Sequence, residues 1–187
     1  MKFNRGRHAI WASRDDVKNS APHKPVLMLA VVKMYNLGVY NSHNYNGTKR
    51  INDDLVEHFK QIGNIIKAPN LDIHLPFFHL KNEKDGYWHH IYTFQGAETP
   101  REKPPKSKSE MFERYVGVTI GSPLKERLDD MQMRPELARE IIIENFDSKY
   151  LEPLIRYLDF SRAKYGPYGI QADPSLSTID PDFDHSN

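Results

Sequence analysis

Histidine is the residue type in this chain that most readily suggests metal or acid–base chemistry. Four of the nine histidines, His74, His79, His89 and His90, lie within a short stretch. A zinc site needs three or four ligands that converge on one point. His89 and His90 are adjacent, and adjacent strand residues point to opposite faces of a sheet; His74 and His79 also differ in parity. We therefore expect surface or partly buried histidines here rather than a metal site.

Nuclease motifs are at best fragmentary. Asp147-Ser148-Lys149 matches the short half of a PD-(D/E)xK motif, but it lies between two helical patterns instead of on a strand. An HNH nuclease would need a metal-binding His or Asn on the helix that follows the hairpin predicted around His89 and His90, and none follows at close range. The phosphate-loop, nucleophile-elbow and dinucleotide motifs are absent from the sequence. We expect no catalytic residues, no metal and no cofactor, and keep a small metal-dependent nuclease that uses the hairpin histidines as the alternative.

Anion binding has a clearer signal in the segment "APHKP". His23 and Lys24 stand at the start of an apolar helical pattern. A helix N-terminus offers backbone N–H groups and the positive end of the helix dipole. Lys24 adds a charge suited to phosphate, and His23 could donate to a phosphate or a base edge. The structural alternative is an exposed turn before the helix.

The net charge of +1 conceals an uneven distribution of charge. Residues 1–24 carry six basic and two acidic groups, a balance of +4, and residues 99–109 carry four basic and one acidic, a balance of +3. Residues 165–187 contain four aspartates and no Lys or Arg. Local positive fields attract polyanions more than the chain total suggests, so the two basic stretches favour a nucleic-acid or phosphate partner. Either stretch alone could equally be a solvated loop.

Composition places the chain among globular proteins. Its 187 residues, 27% of them charged and 11% aromatic, can form one domain with a buried core, and the mean hydropathy is −0.69. No apolar run approaches the ~18 residues of a spanning helix, and the start of the chain lacks a signal-peptide core. The absence of cysteine excludes disulfides, thiolate metal sites and a cysteine nucleophile, and is compatible with a cytoplasmic location.

The elements that must position these residues are mostly helices. "SAPHKPVLMLAVVKMYNLG" predicts a buried central helix with Pro25 at its first position and Gly38 as its C-terminal cap. "NDDLVEHFKQIGNII" predicts a second helix capped by Asn52. We expect Pro76 to open a strand, with residues 75–94 forming an antiparallel hairpin around the turn "EKDG".

The second half of the sequence again predicts helices, over "SEMFERYV", "PLKERLDDMQ", "RPELAREIIIENF" and "SKYLEPLIRYLDFSRAKYG". Ser122 is a plausible N-cap, Pro135 suits a first turn, and Pro153 should kink or restart the last helix. The fold class is therefore α+β, helix-dominated, with a central buried helix and a small antiparallel hairpin or sheet. We predict a recognition domain over residues 1–164 and an extended acidic tail or interdomain linker over residues 165–187.

Four segments in this order resemble the sulfur-binding domain of phosphorothioate-dependent type IV restriction endonucleases. They are "APHKPVLMLAVV", "LPFFHLKN", "GYWH" after the hairpin turn, and "ELAREIIIENF". Members typically show a P-H-K/R-P helix start, then Y-P-F-W about 50 residues on, a D-G-x-W-type turn, and a late helix. The resemblance covers roughly residues 8–147.

The resemblance implies a reader of DNA in which sulfur replaces a non-bridging phosphate oxygen. The family's cavity proline matches Pro76, and its base- and backbone-contacting pair matches His23 and Lys24. Arg101 matches by spacing an arginine that walls the cavity. Two positions depart from the family pattern: Leu75 replaces a tyrosine and His79 replaces a small residue. The implied sulfur pocket is therefore Leu75, Pro76, His79 and Arg101.

The expected partner is double-stranded DNA carrying a phosphorothioate, with no membrane partner, and with a homodimer or a fusion to an HNH nuclease domain as compatible arrangements. Phosphate attraction would come from Lys24, Arg101, Lys103, Lys106 and Lys108. The chain by itself should bind and not cut. A reader of ordinary or base-modified DNA, without sulfur preference, is a further alternative.

Overall fold

The computed structural model describes residues 1, 3, 22–40, 48–83, 85–94 and 102–161. Helices dominate this part of the chain and are accompanied by one small antiparallel sheet, which confirms the α+β prediction. The seven α-helices are α1 His23–Asn36, α2 Asp53–Ile65, α3 His74–His79, α4 Lys108–Arg114, α5 Leu124–Asp129, α6 Met133–Asn145 and α7 Leu151–Leu158. The tail at 165–187 lies outside the described residues, so the division into domain and linker stays a prediction.

Helix α1 is the central element, as its apolar sequence predicts. Residues 26–32 are at most 1% exposed, and the helix packs against α2, α3, α5, α6 and α7. Fully burying such side chains contributes roughly 1.5–3 kcal/mol each. Gly38, with φ of 73°, follows the C-terminal end and confirms the predicted cap. Pro25 is the third helical residue instead of the first, where its missing N–H is still tolerated.

Helix α2 also forms as its sequence predicts. Asn52 is the N-cap, and its side chain accepts a hydrogen bond from the Leu55 backbone N–H at 3.0 Å. The apolar positions at helical spacing are buried against α1: Leu55, Val56, Phe59 and Ile62.

The predicted hairpin over residues 75–94 is wrong. Residues 74–79 form α3, which continues into a 3₁₀ turn at Leu80–Asn82, and Pro76 is the third residue of this helix. A proline in a first helical turn loses no helical hydrogen bond, so its presence fits a helix start as well as a strand start. The short apolar run "LPFFHL" does not distinguish the two periodicities.

The sheet is built instead from three distant segments. Its strands are β1 Thr48–Arg50, β2 Trp88–Tyr92 and β3 Tyr115–Ile120, in the order β1-β3-β2 and antiparallel throughout. The prediction of a strand at "YWHHIYTF" is confirmed by β2, but its partner is β3, with His90 opposite Val118. The predicted helix "SEMFERYV" ends at Arg114, because "YVGVTI" is rich in β-branched residues and joins the sheet as its central strand.

Two details of the later helices also differ. Ser122 does not cap α5: its hydroxyl donates to Glu126 Oε1 at 2.7 Å, and Pro123 occupies the N-cap position. Pro135 lies in the first turn of α6 as predicted. Around Pro153 the chain passes from a 3₁₀ turn at Ser148–Tyr150 into α7, which begins at Leu151 and ends at Leu158.

Helix α3 lies between α1 and the sheet. The Trp88 indole N–H of β2 donates to the Phe77 carbonyl of α3 at 3.0 Å, and the two rings pack edge to face with centroids 5.6 Å apart. The other side of α3 packs against α1. This arrangement brings the start of α1, α3 and the sheet together in one region of the molecule.

Candidate nucleic-acid interface

The start of α1 presents basic rather than acidic side chains. Pro22 is the N-cap without a side-chain hydrogen bond, and the first turn contains no acidic residue. Its first two residues are His23 and Lys24, both half-buried. A cation at a helix N-terminus opposes the helix dipole, so the charge of Lys24 does not stabilise α1 through the dipole.

Lys24 is held by a carboxylate that follows α3. Its Nζ donates to Glu83 Oε1 in an ion pair whose side chains are 15% and 6% exposed. An ammonium group has three N–H donors. The ion pair with Glu83 therefore orients the Lys24 ammonium group at the start of α1.

The two departures from the family pattern lie on one face of α3. Leu75 and His79 are four residues apart, a spacing that places side chains next to each other on a helix, and both are half-buried. Pro76 and its neighbours Phe77 and Phe78 are buried. The accessible part of this helix is therefore the Leu75–His79 face, whereas the proline ring is buried. The prediction that Pro76 takes part in a sulfur pocket stays untested.

Electrostatics connect α1 and α3. Burial lowers the pKa of His79, and the charges of Lys24 and Lys81 lower it further. Burial also lowers the pKa of His23; Asp72 partly offsets this, while His74 adds to it. His23 Nδ1 is buried and makes no hydrogen bond within the described residues. Lys24, Lys81 and His79 thus lie in one region, where each lysine is also paired with a glutamate.

A second polar cluster lies on the sheet side of α3. Glu102 accepts hydrogen bonds from three side chains: Lys81 Nζ at 2.5 Å, Tyr92 OH at 3.0 Å and Tyr115 OH at 2.5 Å. Burial alone would raise the pKa of Glu102, but these bonds outweigh it and the pKa is lowered. The pKa of the Tyr115 hydroxyl is raised, mainly by burial and to a smaller extent by the bond to Glu102. Lys81 also lies over the Phe78 ring, 4.3 Å from its centroid.

The predicted phosphate-binding lysines occupy the segment after Glu102. Lys103, Lys106 and Lys108 are all exposed. Lys108 Nζ is 3.5 Å from Asp53 Oδ1, at an open groove of about 410 Å³ between α2 and α4 that is also lined by Ser109, Phe112 and Glu113. Arg101 lies outside the described residues, so its predicted place beside the pocket is not tested.

The histidines do not assemble a metal site in the part of the chain that the structure describes, where no group of three or more His, Asp or Glu side chains could hold an ion. His89 is exposed, whereas His90 lies under Phe77, with stacked rings 5.1 Å apart and its Nε2 3.0 Å from the Phe77 carbonyl oxygen. Asp147, of the partial nuclease motif, accepts a hydrogen bond from the Lys149 backbone N–H at 3.0 Å in a 3₁₀ turn.

Three residues of this region were not predicted from the sequence: Lys81, Glu83 and Glu102. The signal for Glu102 was present, since it is the one carboxylate among the four basic residues of 99–109. Lys81 and Glu83 follow the helix that was mistaken for a strand, so their placement beside Lys24 and His79 had no signal in the sequence.

Comparisons with known proteins add no relationship. No model of a protein family matches the chain, and no curated protein matches it significantly. Among the described helices, none combines the length and apolar character needed to cross a membrane.

Proposed function

We propose that this chain is a DNA-binding recognition domain for phosphorothioate-modified DNA, belonging to a modification-dependent restriction system and acting in the cytoplasm. The observation that carries the proposal is the meeting of two sequence-distant segments. Lys24 of "APHKP" pairs with Glu83, the residue directly after "LPFFHLKN", and α1 packs against α3. These are the segments on which the family resemblance rests.

The chemistry of this region suits a phosphate with one altered oxygen. Sulfur is larger and more polarisable than oxygen and accepts hydrogen bonds less well. A surface such as Leu75 gives an ordinary phosphate oxygen no replacement for its lost hydration, which is costly, and asks less of sulfur. Discrimination would therefore come partly from disfavouring oxygen. Lys24 would supply the attraction common to both phosphates.

Pro76 enters this proposal in a changed role. Because it is buried, it would support the Leu75–His79 face from beneath instead of forming an exposed floor. His79 is bulkier than the small residue typical of the family, and its ring adds a hydrogen-bonding nitrogen. The proposal thus assigns the contact with the modified phosphate mainly to Leu75, His79 and Lys24.

A paired binding measurement tests the proposal. One duplex carries a single Rp phosphorothioate and its twin is unmodified, and both are titrated at the same stated salt concentration. We expect tighter binding to the modified duplex. Leu75→Asn should shrink this preference, because the amide can hydrogen-bond an ordinary phosphate oxygen. Pro76→Ala should also reduce it, with a urea unfolding curve to confirm that the variant is folded.

Equal affinities for the two duplexes would overturn sulfur specificity and leave a general DNA reader. Absence of binding to both would overturn the DNA-binding function itself. Cleavage of either duplex by this chain alone, abolished by a chelator, would instead favour the metal-dependent nuclease.

A further inference from the structure

The basic segment after Glu102 is anchored to the protein by carboxylates while its lysine side chains face solvent. Glu102, whose side chain is 8% exposed, receives hydrogen bonds from the 3₁₀ turn after α3, from β2 and from β3. Three donors from three separate elements fix the position of one side chain. The backbone that carries Glu102 is therefore held at a defined place on the sheet.

Further bonds hold the next residues of the segment. The Lys103 carbonyl accepts a hydrogen bond from Arg114 Nη1 at 2.8 Å, and the Lys106 backbone N–H donates to Glu110 Oε2 at 2.6 Å. Arg114 and Glu110 also form an ion pair with each other. Thus the main chain of Lys103 and Lys106 is bound on the inside, and both side chains stay exposed.

The anchor is continuous with the packing of α3. Tyr92 and Tyr115, which donate to Glu102, lie 5.3 Å apart by ring centroids, and Tyr115 is 5.3 Å from Phe77. Phe77 follows Pro76 in α3. Aromatic packing therefore connects Glu102 to the helix that carries Leu75 and His79.

From this geometry we propose that Glu102 is a positioning residue for polyanion binding. It holds Lys103 and Lys106 at a fixed position relative to Lys24 and the Leu75–His79 face of α3. One DNA backbone can then contact both regions. This inference rests on the proposed DNA-binding function and assigns the segment a defined orientation. Glu102 itself does not touch DNA; its negative charge is covered by Lys81 and the two tyrosines.

The sign of the effect of Glu102→Gln on affinity tests this inference. Removing a negative charge near a polyanion should strengthen binding by simple electrostatics. Loss of the anchor predicts the opposite, a Kd for the unmodified duplex that rises about tenfold. The magnitude of the slope of log K against log salt should also fall by about 2, because two phosphate contacts are lost. Glu113→Gln is the matched control, since Glu113 is an exposed carboxylate nearby and the charge change is the same. It should bind as tightly as the wild type or slightly tighter.

A second variant keeps the test decisive if Glu102→Gln folds poorly. Tyr92→Phe removes one donor to Glu102 without changing the charge or the ring, and it should lower the affinity and the salt slope in the same direction. Amide hydrogen exchange of the DNA-free protein gives an independent readout. Exchange at Lys106 should accelerate in Glu102→Gln and not in Glu113→Gln, while Val118 in the centre of the sheet stays protected.

The outcomes separate this inference from the proposed function. If the wild type binds DNA and Glu102→Gln binds equally well or better with an unchanged slope, Glu102 does not position the segment and DNA binding stands. If the wild type binds neither duplex, the proposed function fails. In that case unchanged exchange at Lys106 in Glu102→Gln would also overturn the anchor, and faster exchange would support the anchor alone.

Discussion

A basic side chain contacts each end of α1, Lys24 from α1 itself and Arg134 from α6, but in opposite settings. At the C-terminal end Arg134 is 6% exposed and donates to the carbonyls of Leu128 at 2.5 Å, Tyr35 at 3.1 Å and Asp129 at 3.3 Å. Asn36 donates to the Leu158 carbonyl at 3.1 Å. At the N-terminal end His23 and Lys24 stand where the helix dipole disfavours cations, and Lys24 keeps an exposed fraction of 15%.

This difference distinguishes charges that stabilise the fold from charges suited to a ligand. Arg134 satisfies carbonyl groups at the ends of two helices, where a cation also complements the dipole. Lys24 is balanced by Glu83, but it also adds to the positive field that lowers the pKa of His79. The charge at the C-terminal end of α1 thus serves stability alone, whereas Lys24 at the N-terminal end combines a stabilising ion pair with the proposed anion contact.

The largest expected effect is on stability, at the C-terminal end. Arg134→Met should lower the free energy of unfolding by about 3–4 kcal/mol, because it leaves buried carbonyl groups without donors. DNA affinity of the folded protein should be unchanged. Urea unfolding and duplex titration measure the two quantities. Arg156→Met is the control. Among the described residues Arg156 pairs with Glu152 alone, both side chains are exposed, and the loss of this pair should change stability by less than about 0.5 kcal/mol. A large loss of DNA affinity in folded Arg134→Met would contradict the comparison.

At the N-terminal end the expected effect is divided between stability and binding. Lys24→Met should lower stability by about 2 kcal/mol, because it removes the ammonium partner of a buried carboxylate. It should also weaken binding to modified and unmodified duplexes alike and lower the salt slope by about 1. The double variant Lys24→Met/Glu83→Gln should recover much of the stability and none of the affinity. Recovery of both would show that Lys24 acts only through the fold.

The smallest expected effect is on pH dependence. Burial and the charges of Lys24 and Lys81 hold the folded-state pKa of His79 below its ordinary value of 6.5, so below this pH the unfolded state binds more protons than the folded state. Stability therefore falls as the pH drops below about 6.5, and His79→Asn should make this fall shallower. Burial also lowers the pKa of His58, whose Nδ1 lies 2.7 Å from Tyr157 OH of α7. His58→Asn should therefore also make the fall in stability at low pH shallower.

DNA binding should distinguish the two histidines. A phosphate beside His79 favours its protonated form, so affinity should rise from pH 8 to pH 6 in the wild type and in His58→Asn, and rise less in His79→Asn. Duplex titrations at the two pH values and constant ionic strength provide the measurement. An identical pH response in His79→Asn and in the wild type would place the DNA elsewhere.

The sequence alone determined the features that depend on local patterns. The apolar run of α1, the Gly38 cap, the Asn52 cap and the strand at β2 all follow from side-chain periodicity and backbone preference, which act over a few residues. The start of α1 as a basic helix terminus was also readable, because His23 and Lys24 are adjacent to it in the chain.

Only the tertiary structure decided which segments meet. "LPFFHL" fits a helix or a strand by its own residues, and it became α3 where Phe77 could pack between α1 and the sheet. The pairing of β2 with β3, the ion pair of Lys24 with Glu83 and the three bonds to Glu102 join residues that are 10 to 59 positions apart. Such contacts depend on how the buried surfaces of whole elements fit together, and no local pattern encodes that fit.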